Sequence, residues 1–125
     1  MENLVTIPTK RNPEVKFNTN GNLLISGKSI PEDAETYYKP LFNWLEEFRK
    51  TSPPVINLTL KLEYLNTSSV RIVVKFMQNL VAMTKENVNL KITWIYDSDD
   101  DDICEQGEII QESINYPIEM IENKA

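Results

Sequence analysis

Two strand patterns on either side of a helix pattern constrain this chain more than any other feature. Apolar side chains alternate with polar ones over residues 56–64, and they alternate again over residues 90–96. Between them, over about residues 68–85, apolar positions repeat at helical spacing for roughly four turns. This order predicts a strand–helix–strand crossover, which is right-handed almost without exception.

The alternation along both strands also predicts the layer architecture. Strands that are covered by helices on both faces read as continuous apolar runs, whereas each of these strands has one polar face. We therefore predict a two-layer α/β sandwich, a mixed sheet of about five strands with helices mainly on one face. Water should cover most of the other face.

The flanking segments add shorter strands. Residues 15–17 and 23–26 predict an antiparallel hairpin, because the Asn20-Gly21 pair between them favours a tight turn. Residues 118–121 are typical of a short last strand.

Two more helices are expected. The first should begin at Pro31, since proline suits a first helical position, and it should kink or restart at Pro40. The other should span about residues 103–114.

Composition excludes several classes of function. A length of 125 residues fits one domain over residues 1–125, and a net charge of −6 disfavours nucleic acid as a partner. The chain has no histidine and one cysteine, Cys104, so the commonest general base and the usual zinc ligands are missing. Neither a membrane span nor a signal pattern is visible, and we expect a cytoplasmic protein with no membrane partner.

Three consecutive hydroxyl residues, Thr67, Ser68 and Ser69, lie where the first strand pattern ends and the helix begins. A helix start has unpaired N–H groups and a partial positive charge, so it suits an accepting side chain or an anion. On one interpretation, Asn66 or Thr67 is simply the N-cap. On the other, one of the hydroxyls is a phosphorylation site, where an added dianion changes the local surface.

The helix after this hydroxyl cluster has a wide apolar arc. Its core stripe is formed by Val70, Val73, Val74, Met77, Leu80 and Val81. Ile72, Phe76 and Met83 extend the arc to roughly 200°. One interpretation is packing against a neighbouring helix. The other is a partner-binding flank that includes Ile72 and Phe76. On that interpretation, binding either depends on phosphorylation of the hydroxyl cluster or is constitutive, as in an adaptor protein.

An acidic segment over residues 97–108 suggests an alternative function. Asp97, Asp99, Asp101 and Glu108 occupy positions one, three, five and twelve of an EF-hand register. Position six, which needs glycine, is Asp102, and the preceding segment reads as a strand. The acidic loop can instead cap the third helix. The alternative is therefore a calcium- or magnesium-binding protein, or a small metal-dependent enzyme, built on this segment.

No set of residues makes a convincing active site. The glycines are isolated, and the carboxylates lack a recognisable set of catalytic partners. Cys104 is a poor nucleophile, since the nearby Asp102 and Glu105 disfavour its thiolate. We expect a non-catalytic protein without a cofactor.

Five short motifs follow one another along most of the chain. They are Gly27-Lys28-Ser29-Ile30-Pro31-Glu32, Tyr64-Leu65-Asn66-Thr67-Ser68-Ser69, Trp94-Ile95-Tyr96, Glu105-Gln106-Gly107-Glu108 and Tyr116-Pro117-Ile118. With these motifs the chain resembles the SiaC-type regulatory phosphoproteins, a bacterial family related to the STAS-domain anti-sigma-factor antagonists. The Leu-Asn-Thr-Ser-Ser run is the most specific of them.

The resemblance implies a STAS-like fold and a phosphorylation switch at Thr67. It implies a dedicated serine/threonine kinase and a PP2C-type phosphatase as partners. In the family the unphosphorylated form can bind and activate a diguanylate cyclase, which links the switch to cyclic-di-GMP and biofilm formation. The partner-binding residues expected here are Asn66, Thr67, Ser68, Ser69, Ile72 and Phe76. Phosphorylation should block docking and leave the domain folded.

Overall fold

A computed structural model of the protein describes residues 1–124. The elements are β1 (Leu4–Thr6), β2 (Glu14–Phe17), β3 (Asn22–Ser29), α1 (Ala34–Arg49), β4 (Val55–Leu65), α2 (Thr67–Met83), β5 (Asn89–Asp97), α3 (Asp101–Ile114) and β6 (Glu119–Asn123). A short 3₁₀ turn, Thr84–Glu86, follows α2. None of the described helices is both long and apolar enough to cross a membrane.

The strands form one six-stranded sheet in the order β1-β2-β3-β4-β5-β6. The pairs β1–β2 and β2–β3 are antiparallel, and the pairs β3–β4, β4–β5 and β5–β6 are parallel. The predicted crossover is confirmed, because α2 joins the parallel neighbours β4 and β5. The mixed sheet is also confirmed, with one more strand than expected. The edge strand β1 has only three residues, too few for alternation to be visible.

Each strand has a helix-facing side and an open side. On the helix-facing side, Ile25, Leu58 and Trp94 are almost completely buried in one continuous apolar core. On the open side, one row crosses the whole sheet in register, formed by Val5, Lys16, Leu24, Thr59, Thr93 and Glu119. These residues are exposed or half-buried. The two-layer sandwich predicted from the alternation is therefore confirmed.

The predicted hairpin is formed by β2 and β3, and its turn requires glycine. Gly21 has a φ of +100°, a conformation that residues with a Cβ rarely adopt. A Cβ at this position would lie 2.2 Å from the carbonyl oxygen of Val55. The Gly21 carbonyl in turn accepts a hydrogen bond from the Asn57 N–H at 2.8 Å, which joins the turn to β4.

Helix α1 differs from the expectation at two points. It begins at Ala34 rather than Pro31, because the Asp33 carboxylate accepts a hydrogen bond from the Thr36 N–H and caps the helix there. It also runs on to Arg49 without a restart at Pro40. The buried face of α1 packs on the sheet on both sides of Pro40, and the exposed proline ring costs the helix one hydrogen bond. Of the two alternatives predicted at Pro40, the restart is therefore wrong, and the kink stays a prediction.

A β-bulge at the end of β4 positions the residues before α2. Gly27 pairs with Leu62, but Lys28 pairs with Tyr64, so β4 contains one extra residue at this point. After the bulge the alternation changes phase, and Tyr64 is 54% exposed whereas Leu65 is 5% exposed. The expectation that Tyr64 continues the buried face of the strand is therefore wrong.

Candidate functional site

Asn66 connects the end of β4 to the start of α2 and is the N-cap of that helix. Its Oδ1 accepts hydrogen bonds from the Ser69 N–H at 2.9 Å and from the Ser68 hydroxyl at 3.3 Å. Its own N–H donates to the Ser29 carbonyl at 3.0 Å, and its Nδ2 donates to the Pro31 carbonyl at 3.4 Å. Of the two residues predicted as candidate N-caps, Asn66 is the one that caps the helix. Thr67 is the first helical residue.

Ser69 belongs to a buried chain of hydroxyl groups under the start of α2. Ser69, Ser29 and Tyr38 are all 0% exposed. The Ser29 hydroxyl donates to Ser69 Oγ at 2.9 Å and lies 2.7 Å from Tyr38 Oη. Burial raises the pKa of Tyr38 to about 12, against the opposing effect of its bond to Ser29. The hydroxyl of Ser69 is therefore used inside the protein, where it joins α2 to β3 and α1.

Thr67 differs from Ser68 and Ser69 in that its hydroxyl is not hydrogen-bonded to another part of the protein that the structure describes. It is exposed, and its hydroxyl makes no hydrogen bond within residues 1–124. Ser68 is also exposed, but its hydroxyl is bonded to the cap residue Asn66. The geometry thus separates the three hydroxyls into one that is free, one that supports the cap and one that is buried.

The apolar flank of α2 is mostly core. Phe76 is 1% exposed, and its ring lies 5.5 Å from that of Phe17 and 5.4 Å from that of Phe42, between centroids. The arc is wide because α2 contacts both α1 and α3 as well as the sheet. Of the six residues expected on the partner-binding surface, Phe76 and Ser69 are therefore corrected to core residues. Ile72 is half-buried and remains at the surface beside Ser68.

Two shallow grooves meet at Arg71, one turn after Thr67. The first has a volume of about 380 Å³ and is lined by Thr67, Arg71 and Gln106 together with two apolar residues. The second has a volume of about 350 Å³ and lies between Ser68, Ile72 and the acidic start of α1. Sequence reasoning missed Arg71, although its spacing of four residues from Thr67 on one helix was a signal for it.

The charge of α2 differs from that of the rest of the chain. It carries Arg71 and Lys75 and no acidic residue, in a protein with a net charge of −6. The neighbouring helix α3 carries acidic residues without any basic one; they are Asp101, Asp102, Glu105, Glu108 and Glu112. The two basic side chains of α2 therefore lie between two acidic segments, the start of α1 and helix α3.

The acidic segment after β5 acts as a helix cap. Asp100 Oδ1 accepts a hydrogen bond from the Ile103 N–H at 3.0 Å, and Asp97 Oδ1 accepts one from Asn123 Nδ2 at 3.1 Å. Partial burial raises the pKa of the Cys104 thiol, and the Glu108 carboxylate, which accepts its hydrogen bond at 3.5 Å, raises it further. Within residues 1–124 no three acidic or cysteine side chains converge as ligands for an ion. The capping interpretation of this segment is confirmed.

Comparison with known sequences first defines the class, a regulatory phosphoprotein. A sequence model described as "SiaC family regulatory phosphoprotein" matches residues 7–123. The match covers nearly the whole chain, and this protein belongs to the SiaC family. The family resemblance carried by the five motifs is therefore confirmed.

Individual relatives agree with this assignment. An uncharacterised protein of Pseudomonas aeruginosa strain UCBPP-PA14 is 27% identical over 97 residues, which is 78% of this chain and 77% of that protein. The structure of SiaC of Pseudomonas aeruginosa superposes with a TM-score of 0.89 at 24% identity, covering 98% of this chain and 100% of that one. A chain from the crystal structure of the diguanylate cyclase SiaD in complex with its activator SiaC, from the same species, superposes with a TM-score of 0.89 at 24% identity. The match covers 96% of this chain and 99% of that one. These structures share the fold of the present chain.

Proposed function

We propose that this chain is a non-catalytic signalling protein that binds and regulates a diguanylate cyclase while Thr67 is unphosphorylated. Phosphorylation of Thr67 ends the binding. The observation that carries the proposal is the exposed, uncommitted hydroxyl of Thr67 beside two hydroxyls that are already used. Membership of a regulatory phosphoprotein family supports it, and so does the fold shared with SiaC, the activator of the cyclase SiaD.

The start of α2 can accept a phosphoryl group without unfolding. A phosphothreonine adds roughly −1.5 to −2 charges at neutral pH, and the partial positive charge of a helix N-terminus stabilises such a group. The cap does not depend on Thr67, because Asn66 provides it. The modified protein should therefore keep the same fold.

The same dianion would oppose docking. The proposed contact surface consists of Asn66, Thr67, Ser68 and Ile72, all of which are exposed or half-buried. A partner that covers this surface would remove water from the phosphoryl group, and the desolvation of an ionised group is costly unless the partner supplies a cation. A cyclase surface shaped for the neutral threonine hydroxyl supplies none.

Two enzymes complete the proposed switch. A serine/threonine kinase adds the phosphoryl group, and a PP2C-type phosphatase removes it. The protein itself needs no cofactor for this role, and we propose that it works in the cytoplasm, where the ATP for the kinase is available.

The test uses chains in which phosphothreonine is incorporated at position 67 during synthesis. Calorimetric titration with a diguanylate cyclase of the same organism should give equal affinities for the wild type and Thr67→Ala. Phosphothreonine at position 67 should weaken binding by at least about 100-fold, since covering an ionised phosphoryl group with a partner that supplies no cation costs a few kcal/mol. The matched control is phosphothreonine at position 19, in the exposed β2–β3 turn at the opposite end of the sheet. It adds the same charge and should leave the affinity unchanged. Equal binding by all four proteins would overturn the proposal.

A further inference from the structure

We propose that Arg71 receives the phosphoryl group of phosphorylated Thr67 within the same chain. The inference rests on the proposed function for the modification itself and adds the residue that holds its product. Arg71 lies outside the hydroxyl cluster, and the proposed function gives it no role.

The geometry of α2 places the two residues on one face. Thr67 and Arg71 are four residues apart in the same helix, so their side chains lie on neighbouring turns. Side chains in a helix lean towards its N-terminus, which directs the long Arg71 side chain back towards Thr67. Both residues line the same groove of about 380 Å³. A negative group four residues before a positive one is also the favourable order along a helix.

Arg71 is available for such a pair. It is exposed, and it makes no ion pair within residues 1–124, whereas the other helical arginine, Arg49, pairs with Glu46 and Glu86. The acidic residues that share the second groove with Arg71 are Glu32, Asp33 and Glu35, before and at the start of α1. Among them, Asp33 is already committed, because its carboxylate accepts hydrogen bonds from the N–H and the hydroxyl of Thr36 at 3.2 and 2.7 Å.

The chemistry of the pair favours arginine. A guanidinium presents two parallel N–H groups that match two oxygens of a phosphoryl group, and such charge-assisted bonds are stronger than neutral ones. Their formation favours the dianion over the monoanion, because an adjacent positive charge stabilises the more negative form. The pair therefore keeps the phosphoryl group fully ionised at neutral pH, and it removes the free positive charge of Arg71 from the surface of α2.

The test measures the second pKa of the phosphoryl group by ³¹P NMR, in folded chains that carry phosphothreonine at position 67. In the otherwise wild-type chain this pKa should lie below the usual value of about 6. Arg71→Gln should raise it by about 0.5 or more relative to that chain, and Arg71→Lys should give an intermediate value. The matched control is Lys75→Gln, which removes the same charge one turn further along α2 and should change the pKa much less.

A second measurement follows the arginine directly. The Nε–H resonance of Arg71 should move downfield when Thr67 carries the phosphoryl group, because the N–H becomes a charge-assisted donor. An unchanged Arg71 resonance, together with one phosphate pKa shared by the wild type, Arg71→Gln and Lys75→Gln, would overturn the pairing and leave the cyclase switch untouched. If phosphothreonine at position 67 did not weaken cyclase binding but the pKa differences were present, the switch would be overturned and the pairing kept. The two outcomes are independent, because neither NMR measurement needs a kinase or a cyclase.

Discussion

At the level of single residues, the start of α2 distributes its polar groups among distinct tasks. Asn66 caps the helix, Ser69 joins the buried hydroxyl chain, and the exposed Thr67 hydroxyl makes no hydrogen bond within residues 1–124. Within residues 1–124 every buried side-chain nitrogen or oxygen has a hydrogen-bond partner. Because the cap is provided by Asn66 and not by the Thr67 hydroxyl, a change at Thr67 should cost little stability.

The buried Tyr38 predicts a loss of stability at alkaline pH. Its pKa is about 12 in the folded protein, against an ordinary value of 10, because burial disfavours the phenolate. Between these values the unfolded chain releases a proton that the folded chain keeps, so the stabilisation present below pH 10 is lost as the pH rises towards 12. At pH 11 the loss should reach about 1 kcal/mol.

The measurement is urea unfolding at pH 9 and pH 11 for the wild type and Tyr38→Phe. The variant should be less stable at pH 9 by about 1 kcal/mol, because the hydroxyl chain loses a member, but its free energy of unfolding should fall less between the two pH values. The other tyrosines and the lysines titrate in both proteins and cancel in the comparison. An identical decline in both would contradict the argument.

At the level of the elements, the β4 bulge decides which residues surround the site. One additional residue in β4 turns Tyr64 outwards and Leu65 inwards, and α2 begins two residues later. Bulges recur next to functional sites because they re-aim side chains. In this protein the bulge exposes an aromatic side chain three residues before Thr67 in the sequence.

Contact between α3 and the sheet depends on Gly107. A Cβ at this position would lie 2.7 Å from Trp94 Cδ1 and Nε1 and 2.9 Å from Met120 Cε. Trp94 cannot easily move away, because its Nε1 donates a hydrogen bond to the Ile103 carbonyl at 3.0 Å. Gly107→Ala should therefore destabilise the protein by about 1–2 kcal/mol, the cost of overpacking less the better helix propensity of alanine.

Chemical denaturation monitored by circular dichroism measures this difference. The matched control is Ser113→Ala on the exposed face of the same helix, which should change the free energy of unfolding by less than about 0.5 kcal/mol. If Gly107→Ala were as stable as the wild type, α3 would have room to shift on β5, and the close-packing argument would be wrong.

At the level of the whole molecule, stability comes from one apolar core. The buried side chains of the sheet and of all three α-helices form a single cluster. The ion pairs within residues 1–124 have exposed or partly exposed side chains, and such pairs contribute little each. A single core is the physical basis for proposing one cooperative domain over residues 1–125.

The two tryptophans test this cooperativity. Trp44 of α1 packs on Phe17 and Phe48, whereas Trp94 of β5 lies under α3, so each reports on a different region of the core. Trp44→Phe and Trp94→Phe leave one reporter each. In each variant the fluorescence and circular dichroism transitions should coincide in urea, as expected for two-state unfolding. Separate midpoints within one variant would indicate more than one folding unit.

Much of this architecture is local enough to be predicted from residue patterns. The crossover, the one-sided sheet and the hairpin follow from side-chain periodicity and from one Asn-Gly pair. The start of α2, expected at about Ser68 and found at Thr67, follows from the change of period after Tyr64. The hydroxyl cluster at that start was visible for the same reason. Periodicity and turn chemistry act over a few residues, and the sequence alone contains them.

Contacts between distant segments decided the rest. The burial of Phe76 depends on two aromatic rings from β2 and α1, and that of Ser69 depends on Ser29, forty residues away. The bulge that exposes Tyr64 arises from the pairing of β4 with β3, and α1 continues through Pro40 because its buried face packs against the sheet. Periodicity assigns a residue to a face of its own element, but only the packing of elements against one another determines whether that face is covered.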